Sequence, residues 1–233
     1  MNSKRTLLLL CLGVTAASAF ATFVHFWDAA RFDSWTREDG PIENAQAILY
    51  ALAFLAFATV VRRDRANRWA WLFAAAMFFC AGEEIDWGQN FLNFATPSDL
   101  NSVNIQHEAN LHNVENIHGN IRTYGFLGLG ALFVIAPVLE NFSSRMSTLR
   151  TRSGFIKVPL LVAPLAAAAF GFMAVPRYID WDAFDFDEVG ELFSAMAMCV
   201  YGLATARAQA ATPSGPETSS ELQLEKPLVT ADA

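Results

Sequence analysis

Charged residues are scarce in this chain, and basic residues are scarcer than acidic ones. Of the 233 residues, only 17% are Asp, Glu, Lys or Arg, and the formal net charge is −7 at pH 7. Proteins that bind nucleic acid present a basic surface to the phosphate backbone. We therefore expect no nucleic-acid partner.

Cysteine is also rare, which argues against a disulfide-stabilised fold. The three cysteines, Cys11, Cys80 and Cys199, each lie inside an apolar run of the sequence. A disulfide framework shows an even number of cysteines at characteristic spacings. No such framework is expected here.

Apolar and aromatic side chains are abundant instead. Hydrophobic residues make up 54% of the sequence, with 20 Phe and six Trp, and the mean hydropathy is +0.28. Aromatic residues of this kind are common at membrane interfaces. The composition predicts an integral membrane protein whose surroundings and partners are membrane lipids.

The apolar runs predict an all-α fold, a polytopic transmembrane bundle of about six helices. Each run approaches the roughly 20 residues that cross a bilayer core. The predicted spans are 6–27, 44–61, 69–92, 123–139, 158–175 and 188–206. They form one transmembrane domain over residues 1–207, and the polar tail over 208–233 is expected to be disordered and cytoplasmic.

The first span has a second interpretation. Ala17-Ser18-Ala19 resembles a signal-peptidase site, and a cleaved signal peptide would end there. The apolar run continues past this site through Phe26, which favours an uncleaved membrane anchor.

The basic residues predict the orientation of the bundle. With a cytoplasmic N-terminus, all sixteen Lys and Arg residues except Arg31, Arg37, Arg122 and Arg177 fall on the cytoplasmic side, as the positive-inside rule requires. Both termini are then cytoplasmic, and the protein is a multi-pass protein of the cytoplasmic (inner) membrane. All four histidines fall at or beyond the outer ends of spans, so we expect any chemistry on the outer face.

The third span carries an acidic stretch, Glu83-Glu84-Ile85-Asp86, directly after an uncharged apolar run. Rising about 1.5 Å per residue from Trp69, the helix has covered only roughly 21 Å at Glu83, short of the roughly 30 Å of a bilayer core. Ionisable residues at such depth usually line a protein interior or a wet cavity and mark a functional site. The simpler alternative places these carboxylates in the outer headgroup region.

The outer segment after this span has a second set of polar residues, from Asn104 to Asn113. If this segment is helical, Glu108 and His112 share one face at i,i+4, where they could bind a divalent metal such as zinc or orient a general base. The spacing is not a specific zinc signature, and a structural hydrogen bond is the alternative. The many Asn side chains predict either turn caps or contacts to a polar headgroup.

Another acidic pair, Glu188 and Glu191, lies where the sixth span enters the membrane. The helix dipole favours negative charge in a first helical turn. In the alternative interpretation, Glu191 joins Glu83 or Glu84 across a helix interface. Such a cluster would need a proton, a metal or a substrate amine.

Two motifs resemble those of a family of uncharacterised bacterial multi-pass membrane proteins. The motifs are Glu83-Glu84-x-x-Trp87-Gly88-Gln89 and Asn104-x-Gln106-x-Glu108-x-Asn110-Leu111-His112-Asn113. The chain departs from the family at Asp86 and Asn90. The resemblance implies a site within these motifs and implies no particular activity.

Two functional classes follow from the sequence. One is a membrane enzyme, a metal-assisted hydrolase or transferase acting on a lipid or lipid-linked substrate. The other is a non-catalytic transporter, ion-binding component or structural subunit of a membrane complex. For the enzyme, the candidate catalytic residues are Glu83, Glu84, Gln89, Glu108 and His112, and the candidate metal ligands are Glu84, Glu108 and His112.

A specific structural expectation comes with the enzyme class. Glu83 or Glu84 should converge with Glu108 and His112 on one outward-facing polar cavity. The outer segment is short enough to fold back over the helix that carries the two glutamates, and buried carboxylates need partners.

Overall fold

The fold is taken from a computed structural model, which describes residues 3–37, 39–114, 124–125, 127–178 and 184–211. Within these ranges the chain is helical and contains no strand; one isolated antiparallel β-bridge joins Asn104 to Val114. The predicted all-α fold is confirmed.

The helices follow the apolar runs of the sequence. They are α1 (Ser3–Trp27), α2 (Ala29–Thr36), α3 (Pro41–Arg63), α4 (Arg68–Glu83), α5 (Gln89–Leu92), α6 (Ser98–Asn101), α7 (Leu127–Phe142), α8 (Ser144–Ser153), α9 (Ala163–Tyr178) and α10 (Phe184–Ala211). Among the described residues, three stretches are long and apolar enough to cross a membrane: Arg5–Trp27, Ala29–Arg63 and Phe186–Ala211.

These helices expose many large apolar side chains. Large apolar side chains such as Leu8, Leu12, Phe20, Leu55 and Trp71 each expose more than half of their surface. Water-soluble proteins rarely expose contiguous apolar patches of this extent. The long apolar helices and their exposed faces together indicate association with a membrane.

Local sequence signals account for the helix ends. α3 begins with Pro41 at its first position, where the missing N–H leaves no bond unmade, and ends in Arg62 and Arg63, whose charges suit the negative end of the helix dipole. α4 begins after Asn67, whose side chain accepts the Ala70 N–H at 3.1 Å and so caps the helix.

The core lies where α3 packs between α4 and α10, with α9 on another face of α10. Tyr201 of α10 is fully buried, and its ring meets Phe57, Phe73 and Phe133 at centroid distances of 5.3–5.4 Å. Next to it, a Cβ on Gly202 would lie 3.1 Å from the Ala56 Cβ. Small residues therefore allow α3 and α10 to approach closely, as is common between membrane helices.

The two ends of the bundle differ in charge. At one end, which we call the basic end, the α3–α4 turn lies beside α8 and the end of α10. Arg68 Nη2 donates to the Ser153 carbonyl at 3.2 Å, and Arg63 Nη1 donates to the Ala206 carbonyl at 3.2 Å. Glu83 lies at the opposite end of α4, beside the outer segment.

Three predicted boundaries need correction. α4 ends at Glu83, so the predicted span 69–92 is interrupted after the first acidic residue. The interval between the first two predicted spans, residues 28–43, contains a further helix, α2. α10 continues to Ala211, four residues into the predicted tail, and residues 212–233 lie outside the described residues.

Candidate functional site

After α4 the backbone reverses through residues with unusual dihedral angles. Asp86, Trp87 and Gly88 have φ values of 48°, 54° and 85°, in the left-handed region that non-glycine residues rarely adopt. A strained backbone of this kind persists only where the surrounding contacts enforce it. The contacts of Asp86 and Trp87 therefore hold the backbone in this conformation.

Trp87 folds back over the end of α4. Its indole Nε1 donates to Glu83 Oε1 at 2.6 Å, and Phe78 and Phe79 meet the indole at centroid distances of 6.0 and 5.6 Å. A Cβ on Gly82 would come within 2.8 Å of the indole carbons. The glycine before Glu83 thus makes room for the ring that holds the Glu83 carboxylate.

Glu83 fastens the outer segment to α4. Glu83 is buried, with only 4% of its surface exposed. Oε2 accepts the backbone N–H groups of Leu111 at 2.7 Å and His112 at 2.9 Å, and the His112 Nδ1 lies 3.5 Å from the same oxygen. Three N–H donors and an imidazole thus converge on one buried carboxylate, which favours its ionised form.

Asn110 lies at the centre of the folded outer segment and is fully buried. Its Nδ2 donates to Asp86 Oδ1 at 2.6 Å and to Glu108 Oε2 at 3.1 Å. Its Oδ1 accepts from Asn104 Nδ2 at 2.9 Å and from the Asn113 N–H at 3.3 Å. One amide side chain therefore links two carboxylates to the turns around it.

The segment from Asn104 to Val114 forms turns and not a helix. The Asn104 Oδ1 accepts the N–H groups of Gln106 at 3.0 Å and Glu108 at 3.2 Å, and the Ile105 N–H donates to the Asn113 carbonyl at 2.9 Å. The helix that would place Glu108 and His112 on one i,i+4 face does not form between Asn104 and Val114, because these Asn side chains satisfy the backbone in turns. Of the two interpretations given for the Asn side chains, Asn104 and Asn110 follow that of turn caps.

Gln89 also connects the segment to the start of α5. Its Oε1 accepts the Ala109 N–H at 2.7 Å, and its Nε2 donates to Thr96 Oγ1 at 2.9 Å. Both ends of the amide are thus used inside the protein, and its observed contacts position the chain.

Glu84 directly follows the last residue of α4, and its backbone N–H donates to the Cys80 carbonyl at 3.0 Å. The residue is half-buried. The alternative in which Glu191 joins Glu83 or Glu84 across a helix interface stays a prediction.

Four of the five candidate catalytic residues therefore come together. The outer segment folds back over α4 as expected, and Glu83, Gln89, Glu108 and His112 lie in or against it. Among the described residues, no group of three or more His, Cys, Asp or Glu side chains is arranged to hold a metal ion. The structure thus gives no support to a zinc site formed by Glu84, Glu108 and His112.

Two residues of the buried polar cluster, Asp86 and Trp87, were not predicted as site residues. Asp86 is buried and accepts a hydrogen bond from Asn110, and Trp87 donates to Glu83, but neither is among the candidate catalytic residues chosen from the sequence. The clearest signal for both was their position directly after the two glutamates within one motif.

No family model, curated protein or solved structure matches this chain. The resemblance to a family of bacterial membrane proteins stays a prediction.

Proposed function

We propose that this protein is a multi-pass protein of the cytoplasmic membrane that acts as a hydrolase or transferase on a lipid or lipid-linked substrate, with His112 as general base. The observation that carries the proposal is the pairing of His112 Nδ1 with Glu83 Oε2 at 3.5 Å. A buried carboxylate beside an imidazole orients the ring and stabilises the imidazolium that forms on proton uptake. Two backbone N–H groups and Trp87 hold that carboxylate in place.

The exposure around this pair supports an amphiphilic substrate. The side chain of His112 is 33% exposed, so water or a substrate hydroxyl can reach it. On the neighbouring α5, Phe91 and Leu92 are 76% and 73% exposed. A polar, basic group next to exposed apolar side chains suits a lipid whose headgroup reacts while its chains stay in the membrane.

The proposal includes six spans with both termini in the cytoplasm. Reporter fusions at Arg65 and Arg150 should therefore report the cytoplasm, and fusions at Asn101 and Asp182 the outer side. The physical reason is that Arg and Lys are retained on the cytoplasmic side during insertion. Activity of an externally active reporter at Arg150 would contradict the six-span topology.

The catalytic role is tested with His112→Gln in the full-length protein. The probes are vesicles that carry a phospholipid with a fluorogenic acyl ester or a fluorogenic phosphodiester. The substitution should lower product release by roughly 10²–10⁴-fold, the usual effect of a general base. It should leave the fold intact, because Glu83 binds the backbone N–H of residue 112 and not only its side chain.

His107→Gln is the matched control for this experiment. His107 is exposed in the same segment, and its Nδ1 contacts the Asn101 carbonyl at 2.9 Å, so activity should be retained. Equal rates for wild type and His112→Gln would refute the proposed base. If the wild type released product from neither probe, the non-catalytic role described below would be favoured.

The second candidate is a non-catalytic, ion-binding or transport role. It is favoured by a buried polar group within the bundle. Gln46 of α3 is fully buried, and its Nε2 donates to the Glu188 carbonyl at 2.8 Å. Within the part of the chain that the structure describes, its Oε1 has no hydrogen-bond partner. A buried carbonyl oxygen without a donor is costly and is a natural ligand for a cation or a transported amine.

A further inference from the structure

One face of α4 is apolar, exposed and free of charge along its whole length. Its exposed positions follow the i, i+1, i+4, i+7 and i+8 spacing of a single helical stripe. They are Trp71, Leu72, Ala75, Phe78 and Phe79. Because α4 packs against α3, which belongs to a stretch long and apolar enough to cross a membrane, this face continues the apolar exterior by which the protein associates with a membrane.

The apolar face does not stop where α4 ends. After the backbone reverses, the Trp87 ring lies against Phe78 and Phe79 at centroid distances of 6.0 and 5.6 Å. Leu92 of α5 comes next, since a Cβ on Gly88 would meet its Cδ1 at 3.6 Å. Phe91 and Leu92 are both more than 70% exposed. One apolar surface therefore extends from α4 over Trp87 onto α5.

The length of α4 determines the depth at which this surface ends. α3 has 23 residues and its neighbour α4 has 16, and a short turn joins the two at the basic end. At about 1.5 Å per residue, α3 is roughly 34 Å long and α4 roughly 24 Å, compared with about 30 Å for a hydrocarbon core. α4 therefore ends inside the layer that α3 crosses, and the reversal and α5 follow at that depth.

The reversal and α5 meet the condition that hydrocarbon sets for irregular backbone. In a bilayer core, peptide groups outside a regular helix are tolerated only when the protein itself bonds them. The Gly88 N–H donates to the Ile85 carbonyl at 2.7 Å, and the Asn93 N–H donates to the Gln89 carbonyl at 2.8 Å. The Gln89 side chain is bonded to the outer segment at both ends of its amide. These polar groups bond within the protein, while the apolar side chains of α5 are exposed.

We propose that α5 is a membrane-inserted element whose Phe91 and Leu92 side chains lie in the hydrocarbon of the leaflet opposite the basic end. Their partners are the acyl chains of the surrounding lipid, in continuity with those that cover α4. Asn93, an exposed polar residue directly after α5, is where the chain returns toward the headgroups. The inference goes beyond the proposed function, because it holds whether or not His112 acts as a base.

The first test uses the unmodified full-length protein in phosphatidylcholine vesicles that contain a phosphatidylcholine with a photoreactive diazirine on one acyl chain. After illumination, the adducts are mapped by mass spectrometry of peptides. Adducts should form on the exposed face of α4 and on Phe91 and Leu92, whereas α6 (Ser98–Asn101), a polar helix of the outer segment, should carry none. Labelling of α4 without labelling of α5 would overturn the proposal.

Single cysteines then distinguish lipid from water at the same position. The background is the full-length protein without its native thiols, with the substitutions Cys11→Ala, Cys80→Ala and Cys199→Ala. Leu92→Cys carries a fluorophore and is compared with two controls at exposed positions, Leu72→Cys on the face of α4 and Asp99→Cys in the outer segment. None of the three positions is buried, so the probes leave the core packing intact.

In vesicles, phosphatidylcholine with a nitroxide on its acyl chain should quench the fluorophore on Leu92→Cys as it quenches the one on Leu72→Cys. Aqueous iodide should quench only the fluorophore on Asp99→Cys. Quenching of Leu92→Cys by iodide would place α5 in water. Quenching by neither agent would place α5 against a second copy of the chain. Either result would overturn the proposal.

Discussion

Replacing Glu83 with glutamine should release the outer segment from α4 and lower the free energy of unfolding by about 3–5 kcal/mol. The uncharged side chain has one acceptor oxygen in place of two, and its NH₂ group would face N–H donors. The backbone N–H groups of Leu111 and His112, which now bond Oε2 at 2.7 and 2.9 Å, would lose a charged acceptor. Hydrogen exchange of these two amides should become faster, and the midpoint of thermal unfolding should fall.

Asp99→Asn is the matched control for Glu83→Gln. Asp99 is an exposed carboxylate in the same outer segment, so its neutralisation should change stability by no more than about 0.5 kcal/mol. If the Leu111 and His112 amides kept their protection in Glu83→Gln, the carboxylate would not be what fastens the segment.

Replacing Asn110 with aspartate should produce a loss of stability that depends on pH. The substitution preserves shape, but at neutral pH it places a carboxylate where Nδ2 now donates to Asp86 at 2.6 Å and to Glu108 at 3.1 Å. Like charges at such distances repel, and two acceptors lose their donor. We expect a loss of at least about 3 kcal/mol at pH 7.

Acidification should restore part of this stability. The introduced carboxyl group holds its proton more tightly in the folded protein than in the unfolded chain, because the proton removes the repulsion and can be donated to Asp86. Linkage then requires stability relative to wild type to rise as pH falls from 7 toward about 5. The measurement is the thermal midpoint as a function of pH.

Asn110→Ala separates repulsion from the simple loss of hydrogen bonds. It removes the same donors without adding a carboxylate, so its deficit relative to wild type should change less with pH than the deficit of Asn110→Asp. The same pH dependence for the two variants would show that the introduced carboxylate is not repelled by Asp86 and Glu108.

The sequence predicted the helical fold because helices depend on local patterns. Apolar runs define helices wherever they occur in the chain, and the acidic stretch after Ala81 placed polar side chains at the end of α4. Between Asn104 and Val114 the sequence left a helix with Glu108 and His112 on one face as one option. There the backbone N–H groups of Gln106 and Glu108 donate to the Asn104 side chain, and the segment forms turns.

The partners of Glu83 could not be read from its position in the chain. They are the backbone N–H groups of Leu111 and His112, which lie 28 and 29 residues further along. These contacts exist only because the outer segment folds back over α4.

By itself, the sequence determined that this chain forms apolar helices with polar residues gathered at their ends, because helix formation and burial in lipid depend on runs of adjacent residues. Only the tertiary structure decided which polar residues meet. Glu83 takes the backbone N–H groups of Leu111 and His112, and Asn110 joins Asp86 to Glu108. The reason is that a buried carboxylate is stable only beside donors, and most of these donors lie more than 20 residues away along the chain.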